Sequence, residues 1–199
     1  DILTYRKKTI LTCAELGSMR AVKGSVTDLA LVSKLIRAQK AQIVFHLAAE
    51  ALVDDCLKHP LKAFRTNIEG TWSVLEACRN SPTVKAVISA SSDKAYGAHS
   101  KLPYREDAPL QADHPYDVSK SCADLLCRTY WNTYRVPVCV TRCGNLYGPG
   151  DFNFSRIVPE AMRCALTGDT LLLRSDGTFI RDYVYVKDIA AAYMALAEK

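Results

Sequence analysis

The chain has 199 residues, 49% of them apolar, and a net charge of +5, which suits an ordinary globular protein with one sizeable core and part of another. Its 26 Lys and Arg are scattered apart from Arg6-Lys7-Lys8, with no stripe of basic and aromatic residues, so no nucleic-acid partner is expected. No apolar run approaches the roughly 20 residues of a membrane span, and the eight cysteines include no CxxC pair and no Cys/His cluster with zinc spacing. Buried free thiols in a reducing cytoplasm, with no metal and no membrane partner, are the expectation.

The first residues, DILTYRKKTIL, show no secretory-signal pattern and no starting Met, so the natural start is expected upstream. Residues 20–26 read as a short strand. Residues 28–39 space Leu29, Val32, Leu35 and Ile36 for one face of a helix. Residues 42–49 form a continuous apolar strand. Residues 60–80 read as a helix with Pro60 in its first turn. A strand ending at Ser91 follows, then a long helix over 114–134 and a strand over 137–143. Beyond Gly150 the pattern changes to a helix at FSRIVPEAMRCALTG, a strand, turn and strand in TLLLRSDGTFIRDYVYV, and a helix in KDIAAAYMALAEK.

Apolar strands alternating with helices predict an α/β fold around a parallel sheet. Residues 1–150 read as its main domain and residues 151–199 as the start of a smaller lobe. Ligands bind beyond the carboxyl ends of such strands. There the chain carries SSDK (residues 91–94) and RCGNLYGPG (residues 142–150). Tyr116 and Lys120, four residues apart, share a helix face, and an ammonium beside a phenol favours the phenolate.

VFHLAAEALV, TNIEGTWSVLEA, SSDKAYG, PYDVSK, RCGNLYGPGD and RDYVYVKDIA occur in the order found in the extended short-chain dehydrogenases/reductases, the NAD-dependent epimerase/dehydratase family, which the chain resembles over nearly its whole length. The resemblance implies a Rossmann-like, doubly wound parallel sheet and NAD as cofactor, with NADP open. A nucleoside diphosphate sugar would be the substrate, and the full-length protein would be a homodimer.

The resemblance also implies residue roles. Ser92 would bond the sugar 4-hydroxyl, Tyr116 take its proton, and Lys120 lower the Tyr116 pKa and hold the cofactor ribose. Leu47, Ala48 and Ala49 would pass along the cofactor, with Ser91 nearby, and Asn67 would brace the junction. Asn145 and Arg181 would contact the diphosphate, unless Asn145 caps a turn and Arg181 is a surface charge.

Asp93-Lys94 separates activities. In the family an acid after the Ser marks dehydratases, and a following Lys resembles the cytidine diphosphate-glucose enzymes. Asp93 would protonate the departing 6-hydroxyl and Lys94 remove the C5 proton, a 4,6-dehydration; a close ion pair between them would oppose both roles. The alternatives are a 4-epimerase, a non-catalytic nucleotide-binding module, and a solvent-exposed pair. The nucleotide stays open among cytidine, guanosine, uridine and thymidine.

The family's opening strand and G-x-x-G-x-x-G turn have no counterpart here; residues 12–24 hold two glycines far apart. The chain is therefore expected to begin after the second strand, truncated at its N-terminus, and to stop early within the later lobe. Residues 20–26 should then lack a sheet neighbour, and the fragment alone is expected to be inactive. In GSVTD, Ser25 stands where many relatives have Asp, leaving Asp28 as the acid nearest the adenine.

Overall fold

The computed structural model describes residue 17 and residues 19–173 and 175–199; the expectation of no Gly-rich turn over residues 12–24 therefore lies partly outside the described residues. Contacts divide the chain into one unit of residues 24–143 and 192–199 and another of residues 1–23 and 144–191.

The first unit opens with α1 (Leu29–Ala38). Asp28 caps it, its Oδ1 accepting the Leu31 N–H at 3.0 Å. Such a cap contributes about 1 kcal/mol. Next come β1 (Ile43–His46), α2 (Val53–Lys58) and α3 (Pro60–Phe64). A π-helical turn, Arg65–Glu69, leads into α4 (Gly70–Arg79). After β2 (Ala86–Ala90) a single 3-10 turn, Asp93–Tyr96, precedes the long α5 (Pro115–Tyr134) and β3 (Val138–Thr141).

The three strands are parallel in the order β1-β2-β3, with His46 opposite Ser89 and Ala90 opposite Thr141. Helical crossovers between parallel strands make this a Rossmann-like α/β fold. The register brings the carboxyl ends of all three strands to one end of the sheet, so residues 47–50, 91–94 and 142–143 leave it side by side. Ile36, Val74, Ala77, Cys78, Val87 and Val136 form the buried core between α1, α4 and the sheet.

Residues 20–26 form no strand, so the β1 side has no sheet neighbour from them. An isolated strand has no ladder to satisfy its backbone, and this segment has no regular structure, passing into a turn at Val26. The apolar run 42–49 yields only four strand residues, because its last three turn outward toward the strand-end loops. The helix expected over 60–80 is interrupted by the π turn, for a reason given below.

In the second unit β4 (Asn145–Tyr147) pairs in parallel with β5 (Tyr183–Tyr185), and α6 (Ile157–Thr167) lies between them in sequence. The strand expected at the start of TLLLRSDGTFIRDYVYV does not form among the described residues. α7 (Val186–Ala197) ends in the first unit, where Thr141 Oγ1 donates to the Tyr193 hydroxyl at 3.0 Å.

Candidate active site

The lip of β2 carries the densest chemistry. Ser92 is buried and extended, and its Oγ accepts the Lys94 N–H at 3.2 Å, capping the 3-10 turn. The same hydroxyl donates to Asp93 Oδ1 at 3.0 Å. Lys94 Nζ donates to Asp93 Oδ2 at 3.0 Å, closing the ion pair. The two side chains are 17% and 33% exposed for Asp93 and Lys94, so the pair is not a freely solvated surface couple. The backbone is anchored to β3: Ser91 N–H donates to the Thr141 carbonyl at 2.8 Å and Asp93 N–H to the Cys143 carbonyl at 3.1 Å. The turn ends at Gly97, whose φ of 73° and position against the Gln111 carbonyl leave no room for a Cβ.

Tyr116 and Lys120 stand one turn apart near the start of α5, as their spacing predicts. Lys120 is 6% exposed; its Nζ donates to the Ala90 carbonyl at 2.8 Å and lies 6.0 Å from the centre of the Tyr116 ring. Burial pulls the Lys120 pKa down to about 8.

Tyr116 departs from expectation. Its pKa is raised, chiefly by burial; the Ser92 hydroxyl works the other way and Asp93 adds to the rise. The expected lowering by Lys120 is not what this geometry produces. The ammonium faces the Ala90 carbonyl rather than the phenol oxygen, and desolvation of the phenolate dominates.

Asn67 explains the π turn. Its side chain is almost fully buried, with Oδ1 accepting the Glu50 N–H at 2.8 Å and Nδ2 donating to the Glu50 carbonyl at 3.1 Å. Nδ2 also donates to Ser119 Oγ at 2.8 Å, and that hydroxyl donates to the Tyr116 carbonyl at 2.6 Å. One side chain thus ties the loop after β1 to the helix bearing Tyr116 and Lys120. The widened turn is the kind of local distortion that re-aims a residue inward.

Behind it, Thr71 Oγ1 donates to the Asn67 carbonyl at 2.6 Å. His46 Nε2, 2.9 Å from Thr71 Oγ1, must therefore be the donor there. His46 is buried, and its pKa falls to about 4 through desolvation first and the Lys120 charge second. His46, Thr71 and Ser119 were not singled out from sequence. The only signal was a polar residue inside each otherwise apolar or recognised segment, such as the His of IVFH.

The remaining candidates divide. Leu47 and Ala48 are exposed and Ala49 is half-buried, all just past β1 at the active end of the sheet. Ser91 Oγ is enclosed and has no hydrogen-bond partner among the described residues. Asp28 is occupied in capping α1. Asn145 and Arg181 belong to the second unit. Asn145 N–H and Nδ2 both donate to the Asp182 carbonyl, at 3.1 and 3.3 Å. Arg181 is exposed, donating to the Ile180 carbonyl at 2.8 Å and stacking 4.8 Å from the Phe179 ring centre.

These groups fit the nicotinamide-ribose end of a dinucleotide. Lys120 uses one of its three N–H donors on Ala90, the orphaned Ser91 hydroxyl seeks a partner, and small side chains follow β1. No Gly-rich turn for the pyrophosphate occurs among the described residues.

The family model described as "NAD dependent epimerase/dehydratase family" matches residues 2–199. A dTDP-glucose 4,6-dehydratase from Xanthomonas campestris pv. campestris is 33% identical over 210 residues, covering 100% of this chain and 60% of that protein. The solved dTDP-glucose 4,6-dehydratase from Streptomyces venezuelae, with NAD bound, superposes with a TM-score of 0.81 at 30% identity, over 94% of this chain and 59% of the other. A UDP-N-acetylglucosamine 4-epimerase from Methanobrevibacter ruminantium M1 gives a TM-score of 0.82 at 29% identity, over 89% and 57%. The chain spans between 28% and 61% of the length of the first curated relatives it matches.

Proposed function

Because the chain belongs to the NAD dependent epimerase/dehydratase family, we propose that it carries the catalytic core of an NAD-dependent nucleotide-sugar 4,6-dehydratase. The observation that carries this reading is the shielded Asp93-Lys94 pair, joined through Ser92 to the strand end that Tyr116 and Lys120 also face. A 4-epimerase moves a proton and a hydride at one carbon and has no task for a second acid and base. Similarity to 4,6-dehydratases acting on thymidine and uridine diphosphate glucose supports the same class. The cytidine reading rests on SSDK alone.

NAD, which Lys120 and residues 47–49 would hold, would supply the hydride acceptor for C4 and the hydride donor for C6. The protein's own residues move the protons. Entering the step as the phenolate, which the Ser92 hydroxyl favours against the burial that raises its pKa, Tyr116 takes the proton of the 4-hydroxyl, with Ser92 also orienting that oxygen, and leaves a C4 ketone. The ketone acidifies C5–H, and Lys94 removes that proton. The C6–O bond then breaks, and the Asp93 proton leaves with the hydroxide as water. A proton returned from Lys94 to C5 completes a 4-keto-6-deoxy sugar. The proton that Tyr116 gained balances the one Asp93 lost.

The ion pair opposes these roles as it stands, because it presents a carboxylate and an ammonium. Transfer of one proton within the pair converts it to the required acid and amine without changing its net charge, and a sugar ring displacing water favours the neutral form.

The homodimer is proposed on the exposed faces of α4 and α5. Trp72 and Trp131 are 44% and 48% exposed there. Tyr130, on the same helix as Trp131, instead donates to Glu76 Oε2 at 3.1 Å. Asn145, Arg181 and residues 151–199 are proposed for the substrate side, and Asp28 for the adenine side only if it leaves its helix cap. A cytoplasmic setting is proposed from the seven free cysteines among the described residues.

The test incubates the full-length protein with NAD and each nucleoside diphosphate glucose in deuterated water. A 4-keto-6-deoxy product with deuterium at C5, lost in Asp93→Asn and Lys94→Met, is expected. Inversion at C4 without water loss would establish an epimerase, and no turnover of any nucleotide sugar would favour a binding module.

A further inference from the structure

The 3-10 turn that carries Asp93 and Lys94 is short, and its N-terminal end is held by the strand ladder. Its other end, Tyr96, is buried and is held by something the dehydration chemistry does not itself require. Arg142, just past β3, donates from Nε and Nη2 to the two carboxylate oxygens of Asp124, at 2.6 and 2.9 Å. Its Nη1 donates to the Tyr96 hydroxyl and to the Glu106 carbonyl, both at 2.9 Å. The guanidinium also lies 4.9 Å from the centre of the Tyr96 ring.

Asp124 is 4% exposed and sits on α5 one turn beyond Lys120. The residue after Arg142 supplies the carbonyl that accepts the Asp93 N–H. From the helix side, Ser121 Oγ donates to the Ala95 carbonyl at 2.8 Å. Both ends of the turn are therefore referenced to residues 142–143 and to α5, the helix that bears Tyr116 and Lys120.

We propose that Arg142 is a positioning residue for the dehydration steps, locking the Asp93-Lys94 turn in register with Tyr116 and Lys120. This rests on the dehydratase reading above. The lock acts on one part of the reaction. Ser92 caps the near end of the turn, next to the Ser91 N–H anchored on the Thr141 carbonyl, and Lys120 is held by the Ala90 carbonyl, so C4 oxidation keeps these supports when the far end of the turn loosens. Removal of the C5 proton by Lys94, breakage of C6–O and protonation of the departing hydroxide by Asp93 need this turn in place. A planar fork is required because one side chain must serve a carboxylate, a phenol and a carbonyl together; a lysine ammonium keeps the charge beside Asp124 but cannot span all three.

The test uses the full-length protein with Arg142→Lys, which retains a cation beside the buried carboxylate, and Tyr96→Phe, which cuts one hydrogen bond and keeps the ring. Single-turnover absorbance of the reduced nicotinamide reads C4 oxidation, and product mass reads water loss. In Arg142→Lys, water loss should fall by about 10- to 100-fold, as for a small misplacement of reacting groups. C4 oxidation should change only a few-fold, so that the 4-keto sugar still bearing its 6-hydroxyl accumulates. Tyr96→Phe should shift the partition in the same direction, less strongly. Equal loss of both steps, as from a general folding defect, or no change in their ratio, would overturn the proposal.

Amide hydrogen exchange reads the geometry without turnover. The Asp93, Ala95 and Gly97 amides should exchange faster in Arg142→Lys while α5 amides keep their protection; unchanged exchange at the turn would overturn the lock. A wild-type protein that oxidises C4 but never releases water would instead overturn the dehydratase reading, and with it the catalytic half of the proposal.

Discussion

Lys120 shows how burial and charge compete at a single residue. With its pKa near 8, its ammonium is intact at neutral pH and lost as the medium becomes alkaline. The protonated form is the one that holds the Ala90 carbonyl and has N–H donors left for ribose hydroxyls. We therefore expect kcat/KM of the full-length protein to fall as pH rises through about 8, and the fall to move to higher pH in Lys120→Arg, measured as a pH–rate profile. His46 titrates in the opposite part of the range. Its ordinary value of 6.5 is lowered to about 4, so between these pH values the unfolded chain binds the extra proton. Stability is then full above about 6.5 and is lost as pH falls toward 4, by about 3 kcal/mol in all. Chemical unfolding across that range should show this slope in the wild type and lose it in His46→Gln, whose amide N–H can still donate to Thr71. The Tyr-Lys pair was legible from its spacing. The direction of the Tyr116 shift was not, because it depends on which atom the ammonium faces and how much water the phenol loses.

The π turn and the 3-10 turn are the irregular helical elements among the described residues, and each presents chemistry. Apolar periodicity predicts one helix through residues 60–80, and most of that helix exists. The insertion at Arg65–Glu69 has no periodic signature, since it answers a demand from Glu50 and Ser119, 17 and 52 residues away from Asn67. Asn67→Ala would leave the Glu50 N–H without its partner and the Glu50 carbonyl with only the Cys56 thiol, at about 1–3 kcal/mol for one unsatisfied backbone group. Denaturant melts should show that loss, and Asn67→Asp, which keeps an acceptor for the Glu50 N–H but removes the donor, should recover only part of it. The Asp93–Tyr96 turn was visible as SSDKAYG. Its clamp by Arg142, Asp124 and Tyr96 was not, because those residues are distant in sequence and individually resemble ordinary surface charges and a core aromatic.

For the whole molecule, the proposed homodimer would be anchored by Trp72 and Trp131, exposed on α4 and α5, since aromatics are enriched at interfaces. Sedimentation of the full-length protein should show a dimer, and Trp131→Glu should shift it toward the monomer; a wild-type monomer would remove the proposal. The parallel α/β class, the order of the elements between residues 28 and 143 apart from α2, and the crowding of Ser92, Asp93, Lys94, Tyr116 and Lys120 at strand ends and a helix start were determined by the sequence itself. Those features depend on local periodicity, on proline and glycine at element ends, and on residue spacings of a few positions. Tertiary structure alone decided that Asp93 and Lys94 pair with each other, that Tyr116 is raised rather than lowered, that Asp28 is spent on a helix cap, and that Asn67 and Arg142 tie the site together. Each of these is set by which distant groups share a volume from which water has been excluded, a quantity that no single segment carries.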